Sequence, residues 1–408
     1  MRLLVGLHHL ELGGSQLNAL DLALSMREQG HEVALFGHYP DTPGPVAAMA
    51  EQAGLPVLAM RHRSQRLART APVRPGVARG LARAAQQHRA DLIHVYEFSL
   101  GLDGFYGAHL RTGIPMVTTV YGMAVPRWLP RYGELIVGTR ELVDVAAAFR
   151  ARPTLIEPPV NTDADDPAVV DGQAFRVAHG IADDELMIGV VSRLEPDMKA
   201  EGILRAIGAV GVLADRRLRL VIVGDGPSYD DIAAEARRVN EILRRPAVVL
   251  TGAMGDPRPA YAAADIALGM GGSALRALAF GRPLVVLGIE GFSLHCAPDT
   301  IDYFLAAGFY GVGTSDRAAG ATLADQVRHL AADASARTRI GAWGRQLVLD
   351  RFSLKAATQT LTEVYQRALA ERVPTSRRWR EGVRVAGYKA AADLMSSSAR
   401  QRIRRVLG

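Results

Sequence analysis

Short apolar runs alternate with amphipathic stretches of helical period along most of this chain. Residues 2–7 are apolar and predict a β-strand, a loop with Gly13 and Gly14 follows, and from Ser15 the residues Leu17, Leu20, Ala23 and Leu24 recur at helical spacing up to about Gly30. Residues 31–36 predict the next strand, so the opening is a βαβ unit, whose crossover is right-handed. The alternation continues through Val57 and Leu58, a helix over 75–88, strands at 91–95, 116–120 and 134–137, and a helix from about Glu141. It stops between Glu157 and Asp166, where prolines and carboxylates follow one another without period and read as an inter-domain linker, with the boundary near 158–170.

A second run of the same kind follows. It predicts strands at 187–191, 218–223, 248–250, 266–268 and 284–287, with helices over 200–214, from Tyr229, up to 263–265, and from Ser273 through Ala279. Two doubly wound units in succession predict an α/β protein of two Rossmann-like lobes facing a central cleft. The expected division is 1–160 and 161–352, then a helix at 353–372 returning toward the first lobe and a basic tail over 373–408.

Ligands of open parallel sheets sit beyond the carboxyl ends of the strands. Arg193 and Lys199 stand there, six residues apart past the 187–191 strand. A guanidinium fork and an ammonium point charge suit a diphosphate, and they equally suit a solvated surface loop. The loop of Gly269, Gly271, Gly272 and Ser273, with Ser273 as helix N-cap, offers backbone N–H groups to phosphate oxygens or simply a close-packed turn. Gly13 and Gly14 carry the same pair of readings.

Composition narrows the classes. The chain has 408 residues, 49% of them hydrophobic, enough for a core in each lobe. A single cysteine, Cys296, rules out an internal disulfide and a cysteine zinc cluster, and points to a packing role in a reducing, cytoplasmic setting. The first apolar stretch is broken by His8, His9 and Glu11, too early for a signal peptide, and no run of eighteen apolar residues occurs. From Arg372 onward ten Lys or Arg face two acidic residues, so the net charge of +6 belongs to the tail and does not indicate a nucleic-acid-binding body. In that tail Trp379, Val383, Val385, Tyr388, Leu394, Ile403, Val406 and Leu407 lie among arginines, broken by Gly382, Gly387 and Ser396 to Ser398. Two readings stand: peripheral contact with an anionic membrane, or a solvated or lobe-packing helix.

Taken in order, further stretches resemble the retaining glycosyltransferases of family four, which have the GT-B fold. The resemblance is carried by Gly13-Gly14-Ser15 and its helix ending in Gly30-His31-Glu32-Val33, by Asp91-Leu92-Ile93-His94, and by Pro158-Pro159-Val160-Asn161. It continues with Ser192-Arg193-Leu194 and Lys199, Val223-Gly224-Asp225-Gly226-Pro227, Tyr261-Ala262-Ala263-Ala264-Asp265, Ala277-Leu278-Ala279-Phe280-Gly281-Arg282-Pro283, and Arg351-Phe352-Ser353 before a helix with Tyr365. It implies a nucleoside-diphosphate sugar donor on the second lobe and a small-molecule or glycan acceptor on the first, with no cofactor and no metal. Arg193 and Lys199 match the pair that neutralises the diphosphate, and retention follows from front-side attack, with a leaving phosphate oxygen taking the acceptor's proton.

The resemblance departs at two points. Arg276 stands where the second of two glutamates belongs, and the first is absent, leaving Glu290 past the next strand either to restore a carboxylate to the donor site or to lie on the surface. Tyr121 stands where many members have a histidine. His9, Glu97 and Tyr121 are the candidates for orienting an acceptor, each also readable as structural. A donor-binding pseudo-glycosyltransferase and a nucleotide-sugar epimerase are the alternative functions.

Overall fold

The computed structural model describes residues 1–62, 73–122, 124–150, 152–313 and 322–406, with side-chain detail ending at residue 391. It divides into two compact units, Met1–Pro159 with Leu354–Gly408, and Val160–Ser353.

The first unit runs β1 (Arg2–Leu7), α1 (Gly14–Glu28), β2 (Glu32–Tyr39), α2 (Pro45–Gln52), β3 (Val57–Arg61), α3 (Pro75–Gln87) and β4 (Leu92–Tyr96). Then come α4 (Phe98–Gly104), a π-helical turn and α5 (Leu110–Thr112), followed by β5 (Met116–Val120), β6 (Glu134–Val137), α6 (Arg140–Ala147) and β7 (Pro153–Leu155). The strand order is β3-β2-β1-β4-β5-β6-β7, with every pairing parallel. Burial on both faces explains the unbroken apolar runs: Leu3 to Leu7 and all of β4 are inaccessible. The order reverses between β1 and β4, so the loops after these two strands diverge and leave a crevice at their carboxyl ends. Gly13, Gly14 and Glu97 lie there.

The second unit holds α7 (Gln173–Ala178), β8 (Leu186–Val191), α8 (Glu201–Leu213), β9 (Leu218–Val223), α9 (Tyr229–Leu243), β10 (Val248–Gly252), α10 (Arg258–Ala263) and β11 (Ile266–Gly269). It continues with α11 (Gly272–Ala279), β12 (Leu284–Leu287), β13 (Ser293–Cys296), α12 (Ile301–Ala307), α13 (Leu323–Ala332) and α14 (Ala334–Arg351). The order β10-β9-β8-β11-β12-β13 is parallel except for the antiparallel edge strand β13, which the apolar pattern does not announce. Cys296 sits on it, buried, with its thiol pushed up to about 12 by desolvation. Here the reversal falls between β8 and β11, which places the loops bearing Arg193, Lys199 and Gly271 at one switch point.

The stretch read as a linker is fastened to the second unit. Val160 bridges to Ser353, Asp165 is buried near Arg276, and Asp166 pairs with Arg345 at 2.8 Å. The chain then returns to the first unit as α15 (Leu354–Ala370), whose Leu361, Val364, Tyr365 and Ala368 enter the same core as β1 and β4. The tail is one helix, α16 (Thr375–Val406), which continues through Gly382, Gly387 and the serine run. Gly382 is a contact point, with Leu110 and Tyr106 next to it and the Tyr106 hydroxyl donating to its carbonyl at 2.6 Å.

One buried polar link joins α15 to the sheet. The His94 ring nitrogens lie 2.7 Å from the Tyr365 hydroxyl and 2.7 Å from Thr119 Oγ1. Desolvation holds the imidazole down to about 3, from an ordinary 6.5. The unfolded chain therefore binds the extra proton across that window, and stability falls as pH drops from 6.5 toward 3. His94→Gln should remove up to about 1.4 kcal/mol per pH unit of that slope, measured from denaturant midpoints across acid pH. An unchanged slope would place the acid sensitivity elsewhere.

Candidate functional site

In the second unit the site is built by two loops held in close approach. Leu194 N–H donates to the Asp225 carbonyl at 2.9 Å, and Ser228 N–H donates to the Leu194 carbonyl at 2.9 Å. A Cβ on Gly224, at φ 147°, would lie 1.8 Å from the Ser192 carbonyl oxygen, so only glycine admits this crossing. Arg193 thus projects from a fixed backbone, half exposed, 3.4 Å from Glu195. Lys199 follows on a distorted π-helical turn in which Met198 takes φ +71°. Burial, and after it the nearby Arg193, holds the Lys199 ammonium down to about 8. Two cations brought together at the end of a central strand form a receptor for an anion.

The neighbouring loops complete this edge. Ser273 is not the N-cap expected from sequence. Gly271, at φ +55°, takes that position, and the Ser273 hydroxyl turns back to the Met270 carbonyl at 3.0 Å. The reason is steric: glycine makes the left-handed turn that a serine cap does not need to make. The Gly271 N–H is used by the Phe309 carbonyl at 2.9 Å, leaving the N–H groups of Gly272 and Ser273 at the helix start. Glu290 is exposed on the loop after β12, and its backbone is clamped by Glu201, whose carboxylate accepts from Glu290 N–H at 2.9 Å and Gly291 N–H at 2.8 Å. Sequence reading missed Glu201; its position at the first residue of α8 was the available signal. Arg276 faces inward, 3.6 Å from the buried Asp165.

In the first unit the switch point gathers Glu97, Tyr121 and the start of α1. Glu97 takes φ +68°, a strained conformation for a residue with a side chain. Its carboxylate accepts from Ser15 Oγ and from Tyr121 N–H, both at 3.2 Å, and from Gly122 N–H. Desolvation nevertheless raises its pKa. The Tyr121 hydroxyl is buried with no hydrogen-bond partner among the described residues, and desolvation, with Glu97 beside it, pushes the phenol up. His9 lies apart from these two, stacked edge-on against His8 at 4.2 Å and 3.0 Å from Gln16 Nε2. Gly13 caps α1, which opens at Gly14.

Residues 13–165 match the sequence model of the glycosyl transferase 4-like domain, and residues 185–333 match that of the glycosyl transferases group 1. The chain belongs to the family-four, GT-B glycosyltransferases. No curated protein matches it in sequence. Among solved structures, HepE from Anabaena in complex with UDP superposes with a TM-score of 0.66 at 19% identity, over 90% of this chain and 100% of that one. A glycosyltransferase from Rickettsia africae gives 0.69 at 16%, over 91% and 99%. The catalytic domain of starch synthase IV from Arabidopsis thaliana, bound to ADP and acarbose, gives 0.60 at 13%, over 91% and 100%. At these identities the likeness is one of fold.

In this glycosyltransferase the state of the free Lys199 is a direct test of the loop geometry. Arg193→Met should raise the Lys199 pKa above about 8 but not to its ordinary 10.5, because burial is the larger cause. The measurement is the pH dependence of the lysine ε-methylene NMR shift. A Lys199 that titrates near 10.5 in the unsubstituted protein would contradict the buried, paired arrangement.

Proposed function

We propose that this glycosyltransferase moves a sugar from a nucleoside-diphosphate sugar to a small-molecule or glycan acceptor, with retention at the anomeric carbon and without a metal ion. The observation that carries this reading is the Arg193–Lys199 pair at the switch point of the second unit. The HepE structures holding UDP and UDP-glucose support the same donor class. Uridine is favoured by that likeness, while the starch synthase holds ADP.

Negative charge grows on the departing diphosphate as the glycosidic bond breaks. Arg193 and Lys199 then act where charge develops, and the freed N–H groups of Gly272 and Ser273 add dipoles of the same sign. A bound diphosphate raises the Lys199 pKa and keeps the ammonium charged. Together these cations supply the charge that a metal would otherwise bring. Tyr121, with its phenol pKa pushed up, is a poor general base, and Glu97 is already engaged by three donors. The family resemblance implies that a phosphate oxygen of the leaving group accepts the acceptor's proton, with front-side attack and retention. His9, Glu97 and Tyr121 are assigned to the acceptor, and Gly13, Gly14, Gly271, Gly272, Ser273 and Glu290 to the donor.

Arg193→Ala and Lys199→Ala should each lower kcat/KM by about a hundredfold or more. Initial rates with UDP-, GDP-, TDP-, ADP- and CDP-sugars, with and without a chelator, and NMR of the product anomer test donor, metal and stereochemistry together. Near-normal turnover in both variants would sink the assignment. One observation favours a second reading, a donor-binding protein without transfer: Arg276 occupies a glutamate position and faces Asp165. Stabilisation by a nucleotide sugar with no product from any acceptor would select it.

We also propose peripheral contact of α16 with anionic lipid. Its inner face is spent on the first unit, with Val385 buried, Arg377 5.3 Å from the centre of the Tyr132 ring and Arg384 donating to the Leu129 carbonyl at 2.8 Å. Trp379, Val383 and Tyr388 remain exposed among arginines. Among the described residues no helix is long and apolar enough to cross a membrane. Trp379→Ala with Val383→Ser should abolish sedimentation with phosphatidylglycerol vesicles while leaving transfer to a water-soluble acceptor unchanged. Equal sedimentation of variant and parent would remove the helix from membrane contact.

A further inference from the structure

The carboxyl ends of β1, β2 and β3, adjacent in the sheet, carry a histidine cluster of which the transfer reaction uses only His9. His8 and His9 follow β1, His38 lies in β2 and His62 follows β3. The His38 and His62 rings approach at 5.7 Å, and His8 senses the charge of His9, Arg74 and His38. Arg74 and Asp103 face this group from α3 and α4.

Asp103, almost wholly inaccessible, accepts from Arg74 N–H and Nε, both at 2.8 Å, which consumes that carboxylate. Arg74 Nη1 lies 2.9 Å from His38 Nε2. A guanidinium only donates, so His38 Nε2 accepts and the neutral ring carries its hydrogen on Nδ1. Asp103 and Arg74 therefore fix His38 as an N–H donor. His62 Nε2 is buried with no hydrogen-bond partner among the described residues. Beside these rings α1 begins at Gly14, where a side chain would meet nothing within 4 Å.

A cation does not suit this recess. Arg74 already stands in it, and among the described residues no three His, Cys, Asp or Glu side chains converge as metal ligands. An anion with several oxygens does suit it, because the His38 N–H, the unpartnered His62 Nε2, the Arg74 guanidinium and the start of α1 lie about one place, with Gln16 Nε2 3.1 Å from His8 Nε2 and 3.0 Å from His9 Nε2. A carboxylate offers two oxygens to such a set; a phosphomonoester offers three and carries nearly two charges at pH 7.

We propose that the His8, His9, His38 and His62 cluster binds a phosphate group carried by the acceptor. This rests on the reading of the first unit as the acceptor side and names the acceptor's chemical class. In the free protein desolvation comes first, and the charge of Arg74 reinforces it, in holding His8 down to about 3 and His38 to about 4. The rings are then neutral at pH 7, and a bound dianion raises both.

The test is a pH titration of the histidine ring C2–H NMR signals, with and without methyl phosphate, using sodium sulfate at equal ionic strength as the control. The expected result is an upward shift of about one unit or more in the midpoints of His8 and His38 with methyl phosphate. His38→Gln should remove the response of His8, and His8→Gln should weaken that of His38. Midpoints that ignore methyl phosphate and also ignore phosphatidic acid in phosphatidylcholine vesicles overturn the proposal. A response to methyl phosphate assigns a soluble phosphate-bearing acceptor, and a response only to the vesicles assigns a lipid phosphate. UDP binding is measured separately on the same protein. UDP binding with silent histidines defeats this inference alone, whereas responsive histidines without binding of any nucleoside diphosphate defeat the donor assignment and leave the phosphate site standing.

Discussion

Everything at the edge between β8 and β11 depends on the crossing of two backbones, Ser192 to Leu194 over Gly224 to Gly226. Neither loop can relax away, since Ser192 N–H, Leu194 N–H and the Leu194 carbonyl are all bonded into the other loop or the strand that feeds it. The crossing points Arg193 toward a lysine that burial has already made reluctant to carry charge. A depression of the Lys199 pKa from 10.5 to about 8 corresponds to roughly 3 kcal/mol of unfavourable charging. Folding carries that cost, and an anion beside the pair would offset it.

The first unit solves the opposite problem. Its switch point holds a carboxylate with three donors and a neutral, buried His94 tied to Tyr365. Arg74 stands as a fixed cation beside the histidines, and burial holds His8 and His38 neutral at pH 7. The second unit brings two cations together, Arg193 and Lys199, whereas in the first Arg74 stands beside rings whose charge a bound anion would draw out.

The fold was legible because the sheets are parallel and buried on both faces, which turns each strand into an apolar run bounded by glycine or a charge. β13 was not, because an antiparallel edge strand of four residues, Ser293 to Cys296, alternates too briefly to stand out. Arg193 and Lys199 could be found since each follows a strand end at short range. Glu201 and the Asp103–Arg74–His38 chain could not, because their partners lie 89, 29 and 36 residues away and only the register of neighbouring strands brings them together. The N-cap assignment to Ser273 failed for a local reason: with three glycines upstream, composition does not say which of them takes the left-handed turn.

The Arg276 substitution is best understood through the acidic stretch after the unit boundary. Asp165 and Asp166 are not solvent-facing linker charges; they reach Arg276 on α11 and Arg345 on α14, and so fasten the entry to the second unit. Asp165 is buried near Arg276, and its pKa is nevertheless raised, desolvation outweighing the arginine. A glutamate at 276 would place a second carboxylate beside it, and the like charges would repel in a poorly solvated place. The arginine is thus matched to its neighbour. Glu290 is exposed at the end of β12, where Glu201 and a positive φ of 55° fix its backbone beside the start of α8.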